Sequence, residues 1–296
     1  MGKRSEWQFC FTVNGLVAPK EGMRFDDDLL FVGTKKRDDV SDVFFRIQAC
    51  ESNLHNSENT SLQRLWLLLC IYGLCSGRYA EMPDSCGYTT IDADQPFGKP
   101  KLRGYGDVFL AVREEQWDRF KSILKMSVIK FYELEGKLVQ KEKRFLRNAI
   151  DYYYRSLKHT VLEETLIDLI VALESLLSRE NHELGLRLSQ RACLLVGETD
   201  EERKQILSLV KKLYRKRSQI VHSGETKNLS AEDVERLRRY VKEAIIRLVH
   251  IDMSKEDIIE LMDLSCIDGR KRAELVKLSK NAKEKWNDSK ALMPTA

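Results

Sequence analysis

The sequence predicts an α+β N-terminal region followed by an all-α helical bundle. Trp7, Phe9, Phe11 and Val13 alternate with polar neighbours, the period of a half-buried strand. From Glu115 onward apolar residues recur every three or four positions, and Gly136 is the one glycine before Gly185. Three pairs, Thr199 with Glu202, Ser230 with Asp233 and Ser254 with Asp257, have the spacing by which a helix start satisfies its own free amides.

Taken in order, the first strand is expected near Trp7 and a second over Asp42 to Cys50, with Asn14-Gly15 and Glu21-Gly22 as turns between them. Leu62 to Leu74 is apolar on nearly every side and predicts a buried helix ending near Gly77. Asp92 to Asp107 gathers Pro and Gly into a loop with three cations, without phosphate-loop spacing, and a short strand is expected at Val108 to Val112. Helices are then expected over 115–135, broken at Gly136, and over 140–158. The run from Leu162 to Ser178 is so apolar that it belongs at the centre of the bundle. A helix from Leu184 to Val196 stops at Gly197, the next runs from the Thr199 cap to about Val221 with Gly224 as its stop, and another runs from Ser230 through His250. The last stretch, Asp268 to Lys290, is expected to be a charged helix that packs loosely and frays.

These elements group as a mixed α/β domain of unknown role (1–114), a connecting helix (115–139), a bundle of four to five core helices (140–252) and a C-terminal helical extension (253–296). Length and composition agree with two globular domains: 296 residues, 43% hydrophobic and 32% charged. The apolar run Leu65 to Cys75 is too short to span a bilayer, and the N-terminus lacks the apolar core of a signal peptide, so a cytoplasmic protein without membrane attachment is expected. Seven scattered cysteines with no CxxC spacing predict neither zinc nor a disulfide framework, and no cofactor is expected.

A net charge of +4 is too small to signal nucleic acid, but its distribution is uneven. Lys211, Lys212, Arg215, Lys216 and Arg217 place five cations in seven residues, a candidate RNA-binding face or an ordinary solvated one. On the same helix Ile206, Leu209, Val210, Leu213 and Ile220 form the apolar stripe, and Arg217 falls near its centre. An arginine there must snorkel, pair with a carboxylate or line a cleft or interface. Glu174, on the border of the most apolar helix, is the candidate partner. His222 follows where that helix ends, so the dipole favours its protonated form. Five residues of helix put His222 about 140° round from Arg217, so the two share a site only if the helix loosens or a second chain contributes. Tyr152, Tyr153 and Tyr154 could stack bases, but adjacent helical positions diverge, so at least one is expected in the core.

The segments Leu173-Glu174-Ser-Leu-Leu, Leu188-Ser-Gln-Arg191-Ala192 and Leu213-Tyr214-Arg215-Lys216-Arg217-Ser218-Gln219-Ile220-Val221-His222-Ser-Gly224 resemble the HEPN superfamily, most closely its Apea-like branch, over Phe145 to His250. The resemblance implies a helical bundle that forms a homodimer. It implies a metal-independent endoribonuclease of stress response or of antiviral, abortive-infection or toxin-antitoxin defence, with an antitoxin or trigger protein as a further partner. Arg217 would then bind the phosphate and His222 act as acid and base, supported by Ser218, Glu174 and Tyr214. Ser218 departs from the asparagine, aspartate or histidine more usual after that arginine. Other members bind RNA, nucleotides or proteins without cutting, and the same residues then make a structural Arg217 and Glu174 pair.

Overall fold

In the computed structural model the described residues are 6–17, 23–24, 30–37, 40–50, 54–78, 86–90, 117–179, 183–223 and 229–288, the strands through their backbone alone. The chain divides into two compact units, Met1–Tyr132 and Glu133–Ala296.

The first unit pairs five strands antiparallel in the order β2, β3, β4, β1, β5: β1 is Glu6–Val17, β2 Met23–Arg24, β3 Leu30–Arg37, β4 Val40–Cys50 and β5 Cys86–Thr90. Asn14-Gly15 lies inside β1 rather than at a turn. The pairing with β4 slips between Val13 and Val17, so the turn-forming pair makes a bulge that the strand absorbs. Helix α1, Leu54–Ser76, lies against β1 and β4 and ends at Gly77, whose φ of 72° a side chain would resist. Leu65, Leu68, Ile71 and Leu74 of α1 are fully enclosed. Glu21-Gly22, the loop from Asp92 to Asp107 and the strand expected at Val108 to Val112 lie outside the described residues.

Helix α2, Trp117–Leu138, runs through Gly136 and stops at Val139 and Gln140. The break expected at Gly136 is therefore three residues late. The position is exposed and meets nothing, so the helix absorbs a cost of about 1 kcal/mol. One turn of 3-10 helix, Lys141–Lys143, leads into α3, Arg144–Ser156.

The second unit is a helical bundle. Helix α4, Leu162–Leu177, is its centre, packed against α3, α5, α6 and α7 with Leu166, Leu169, Ile170, Leu173 and Leu176 fully buried. Helix α5, Leu184–Val196, stops at Gly197, where a Cβ would stand 2.8 Å from the Cys193 carbonyl oxygen. Helix α6, Asp200–Ser223, opens on the expected reciprocal cap: the Glu202 amide donates to Thr199 Oγ1 and the Thr199 amide to Glu202 Oε2, each at 3.2 Å. Helices α7, Ala231–Val249, and α8, Lys255–Leu264, open on Ser230 and Ser254, each accepting from the amide three residues on. Gly224 and the residues beyond Asp288 lie outside the described residues.

The last helix, α9 (Gly269–Asp288), corrects the expectation of loose packing. Leu275, Ser279, Ala282 and Trp286 form a buried stripe against α5, α7 and α8. Ser279 Oγ donates to the Leu195 carbonyl at 2.8 Å and accepts from Arg247 Nη1 at 2.6 Å. Arg247, only 4% exposed, also donates to Glu198 at 2.8 Å. The helix itself was expected; its composition hid the packing because the charges occupy the outer face. Among the described residues no helix is long and apolar enough to cross a membrane.

Candidate functional site

The C-terminal half of α6 lies beside the apolar helix α4, and their apolar packing brings three polar groups together. Glu174 projects from the last turns of α4, half-buried, and accepts a hydrogen bond from the hydroxyl of Tyr214. Arg217 stands one turn beyond Tyr214, also half-buried, with its Nε enclosed and making no hydrogen bond. Burial pushes the Glu174 carboxyl up, while the Arg217 charge and the Tyr214 hydroxyl oppose that push. Burial also raises Tyr214, reinforced by the Glu174 charge beside it and opposed by Arg217.

Tyr214 is held from behind by a residue that motif reasoning passed over. Gly185, in the first turn of α5, lies so close to the ring that a Cβ there would meet Tyr214 Cδ1 at 2.6 Å. Tyr214 thus reaches Glu174 only because position 185 has no side chain.

His222 is exposed in the final turn of α6, and the helix does not loosen before it. Ser223 Oγ donates to the Gln219 carbonyl at 2.7 Å and holds that last turn in helical form. Arg217 and His222 therefore remain about 140° apart on one continuous helix. The loosening of the helix that would bring them together within one chain is absent. Ser218 is half-buried between them, and Val221, half exposed, presents an apolar surface beside His222.

Lys211, Arg215, Lys212 and Lys216 fall within about 140° of the circumference of α6, with Arg217 outside that arc. Lys212 donates to Asp233 at 2.6 Å and ties α6 to the start of α7. Arg215 is exposed, whereas Lys211 and Lys216 are half-buried. Tyr153 and Tyr154 are core residues; only Tyr152 is partly accessible, with the Arg155 guanidinium 5.0 Å from its ring centre.

Two buried arginines that sequence reasoning did not single out as structural are clamps. Arg191, 1% exposed, grips both carboxylate oxygens of Asp263 at 2.8 Å and donates to the Leu177 carbonyl at 2.7 Å, joining α4, α5 and α8. Arg247 joins α5, α7 and α9 in the same manner. His159 sits between Asp168 at 2.8 Å and Glu164 at 2.9 Å, at the turn into α4. Buried Cys193 has its thiol pushed up to about 11, chiefly by burial, so it is a packing residue and not a nucleophile. Among the described residues there is no group of three or more His, Cys, Asp or Glu side chains placed to hold a metal.

Compared with family models, with curated proteins and with solved structures, the chain finds no match, so its function rests on this geometry and on the residues that carry it.

Proposed function

We propose that the protein is a HEPN-like, metal-independent endoribonuclease that works as a homodimer, within stress response or antiviral defence. The observation that carries this reading is the division of labour along the end of α6. Arg217 is a fixed, half-buried cation beside Glu174 and Tyr214, and His222 is an exposed imidazole on the same unbroken helix. Two copies meeting at these helix ends would set the arginine of one beside the histidine of the other. His222 would take the proton of a ribose 2′-hydroxyl as that oxygen attacks the adjoining phosphorus. The departing 5′-oxygen would receive a proton, and Arg217 would offset the charge that builds on the phosphorane oxygens. Products would carry a 2′,3′-cyclic phosphate and a 5′-hydroxyl. Arg215 and the neighbouring lysines supply cations for the RNA backbone.

The test is incubation of purified protein with total RNA in EDTA, beside Arg217→Ala and His222→Ala proteins shown by circular dichroism to be folded. Cleavage that both substitutions abolish is expected. RNA left intact, or cut equally by both variants, would sink the nuclease reading.

The hydrogen bond between Tyr214 and Glu174 favours a second reading, in which the group is structural and the dimer binds RNA, a nucleotide or a protein without cutting. Arg217→Ala then lowers the melting temperature substantially. A catalytic arginine would leave it nearly unchanged.

A further inference from the structure

The other end of α6 borders a groove of about 640 Å³, within the range of small-molecule sites. The groove is open to solvent and bordered by the α5 to α6 turn, α6, α7 and Lys283 of α9, with Val196 and Ile206 among its apolar lining. Gln205 on this wall is twelve residues from Arg217, about 18 Å along the helix. The groove is therefore separate from the Arg217 and His222 end and does not depend on the nuclease reading.

Its charges are unevenly satisfied. Glu198 receives both Arg247 at 2.8 Å and Lys283 at 2.9 Å, and the Glu202 carboxylate is occupied by the amides of Glu198 and Thr199. Glu243 lies 3.6 Å from Arg247 Nε and 3.7 Å from Lys283. The carboxylates of the groove are thus neutralised from within. Arg236 and Arg239 are not: they line the groove one turn apart on α7, and neither makes a hydrogen bond or ion pair among the described residues. Two guanidinium forks on stems roughly 5–6 Å apart match two adjoining phosphates. The half-buried ring of Tyr240 follows directly and, with Val196 and Ile206, offers apolar surface for whatever the phosphates carry.

We propose that this groove binds an organic diphosphate, with Arg236 and Arg239 on the phosphates and Tyr240 against the organic part. A small molecule is favoured over an extended chain because the two uncommitted arginines stand one turn apart, the span of two adjoining phosphates rather than of a longer backbone.

The test is calorimetric titration of the full-length protein in EDTA with three probes that share a diphosphate and differ beyond it: inorganic pyrophosphate, ADP and isopentenyl diphosphate. ADP or isopentenyl diphosphate is expected to bind at least tenfold more tightly than pyrophosphate. The Arg236→Ala/Arg239→Ala protein, folded by circular dichroism, is expected to lose at least tenfold in affinity. Tyr240→Leu is expected to weaken the organic probes while leaving pyrophosphate unchanged, and Arg217→Ala should bind as wild type does. No binding by any probe, binding that survives the double arginine substitution, or equal affinity for pyrophosphate would each overturn the proposal. So would an RNA oligonucleotide that needs Arg236 and Arg239 while the small probes do not bind. Because Arg236 and Arg239 stand apart from Arg217 and His222, RNA cleavage and diphosphate binding can fail independently.

Discussion

Gly185 and Tyr214 are in mutual contact such that one additional carbon on the first would displace the ring of the second. Gly185→Ala should therefore push Tyr214 off Glu174 and destabilise the fold by about 1–3 kcal/mol, the usual cost of overpacking. Tyr214→Leu removes both ring and hydroxyl. Added to that background, Gly185→Ala should cost much less, and a double-mutant cycle in urea measures the difference. Strictly additive effects would mean the contact is not transmitted through the ring.

Glu174 makes a prediction in pH. Burial raises its folded pKa above the ordinary value of 4.5 despite Arg217 and Tyr214. In the window just above 4.5 the folded protein thus holds more protons than the unfolded chain, and stability falls as pH rises through it. Glu174→Gln lacks this titration. Relative to wild type, the variant should gain stability between pH 4 and pH 7 in parallel thermal melts. The opposite trend would show that Arg217 and the Tyr214 hydroxyl outweigh burial.

The Arg191 clamp should break asymmetrically. Asp263→Ala leaves a nearly inaccessible guanidinium without its carboxylate and should cost about 3–5 kcal/mol. Arg191→Met leaves Asp263, 43% exposed, to be solvated by water, and should cost less. Guanidinium chloride unfolding of the two proteins ranks them, and equal losses would argue that packing of the arginine stem dominates.

Ser279 tests how firmly α9 belongs to the bundle. Ser279→Ala removes two buried hydrogen bonds but leaves Arg247 Nη1 and the Leu195 carbonyl bonded to each other at 3.3 Å, so it should cost about 0.5–1.5 kcal/mol. Trp286→Ala should cost about 3–5 kcal/mol. Exposed Lys280→Ala should stay within about 0.5 kcal/mol. Chemical denaturation of the three separates a docked helix from a frayed one.

What was legible in the sequence was what is local. The Thr199, Ser230 and Ser254 caps are short-range hydrogen bonds, so three helix starts could be read to the residue. Gly197 ended α5 where expected for the same reason. Gly136 misled because a propensity of about 1 kcal/mol is a weak prior against a long helix around it. The stripe of Leu275, Ser279, Ala282 and Trp286 has helical spacing, but its middle members are small and sit among charges, so hydropathy did not reveal it. The half-burial of Arg217 followed from its place on the apolar stripe. The contact of Gly185 with Tyr214, and the convergence of Arg236, Arg239 and Tyr240 on one groove with α9, depend on how distant helices pack.

The Ser279 hydroxyl also has a consequence for how the chain is made. It completes Arg247, 32 residues earlier, and the Leu195 carbonyl, 84 residues earlier. At a synthesis rate of about 5–20 residues per second, the Leu195 carbonyl is made several seconds before its partner, on the order of 4–17 s. The nascent bundle therefore carries an unfinished seam along α5 for that interval and along α7 for the last 32 residues of it, about 2–6 s, and the apolar residues of the seam stay accessible to chaperones until α9 emerges and closes it.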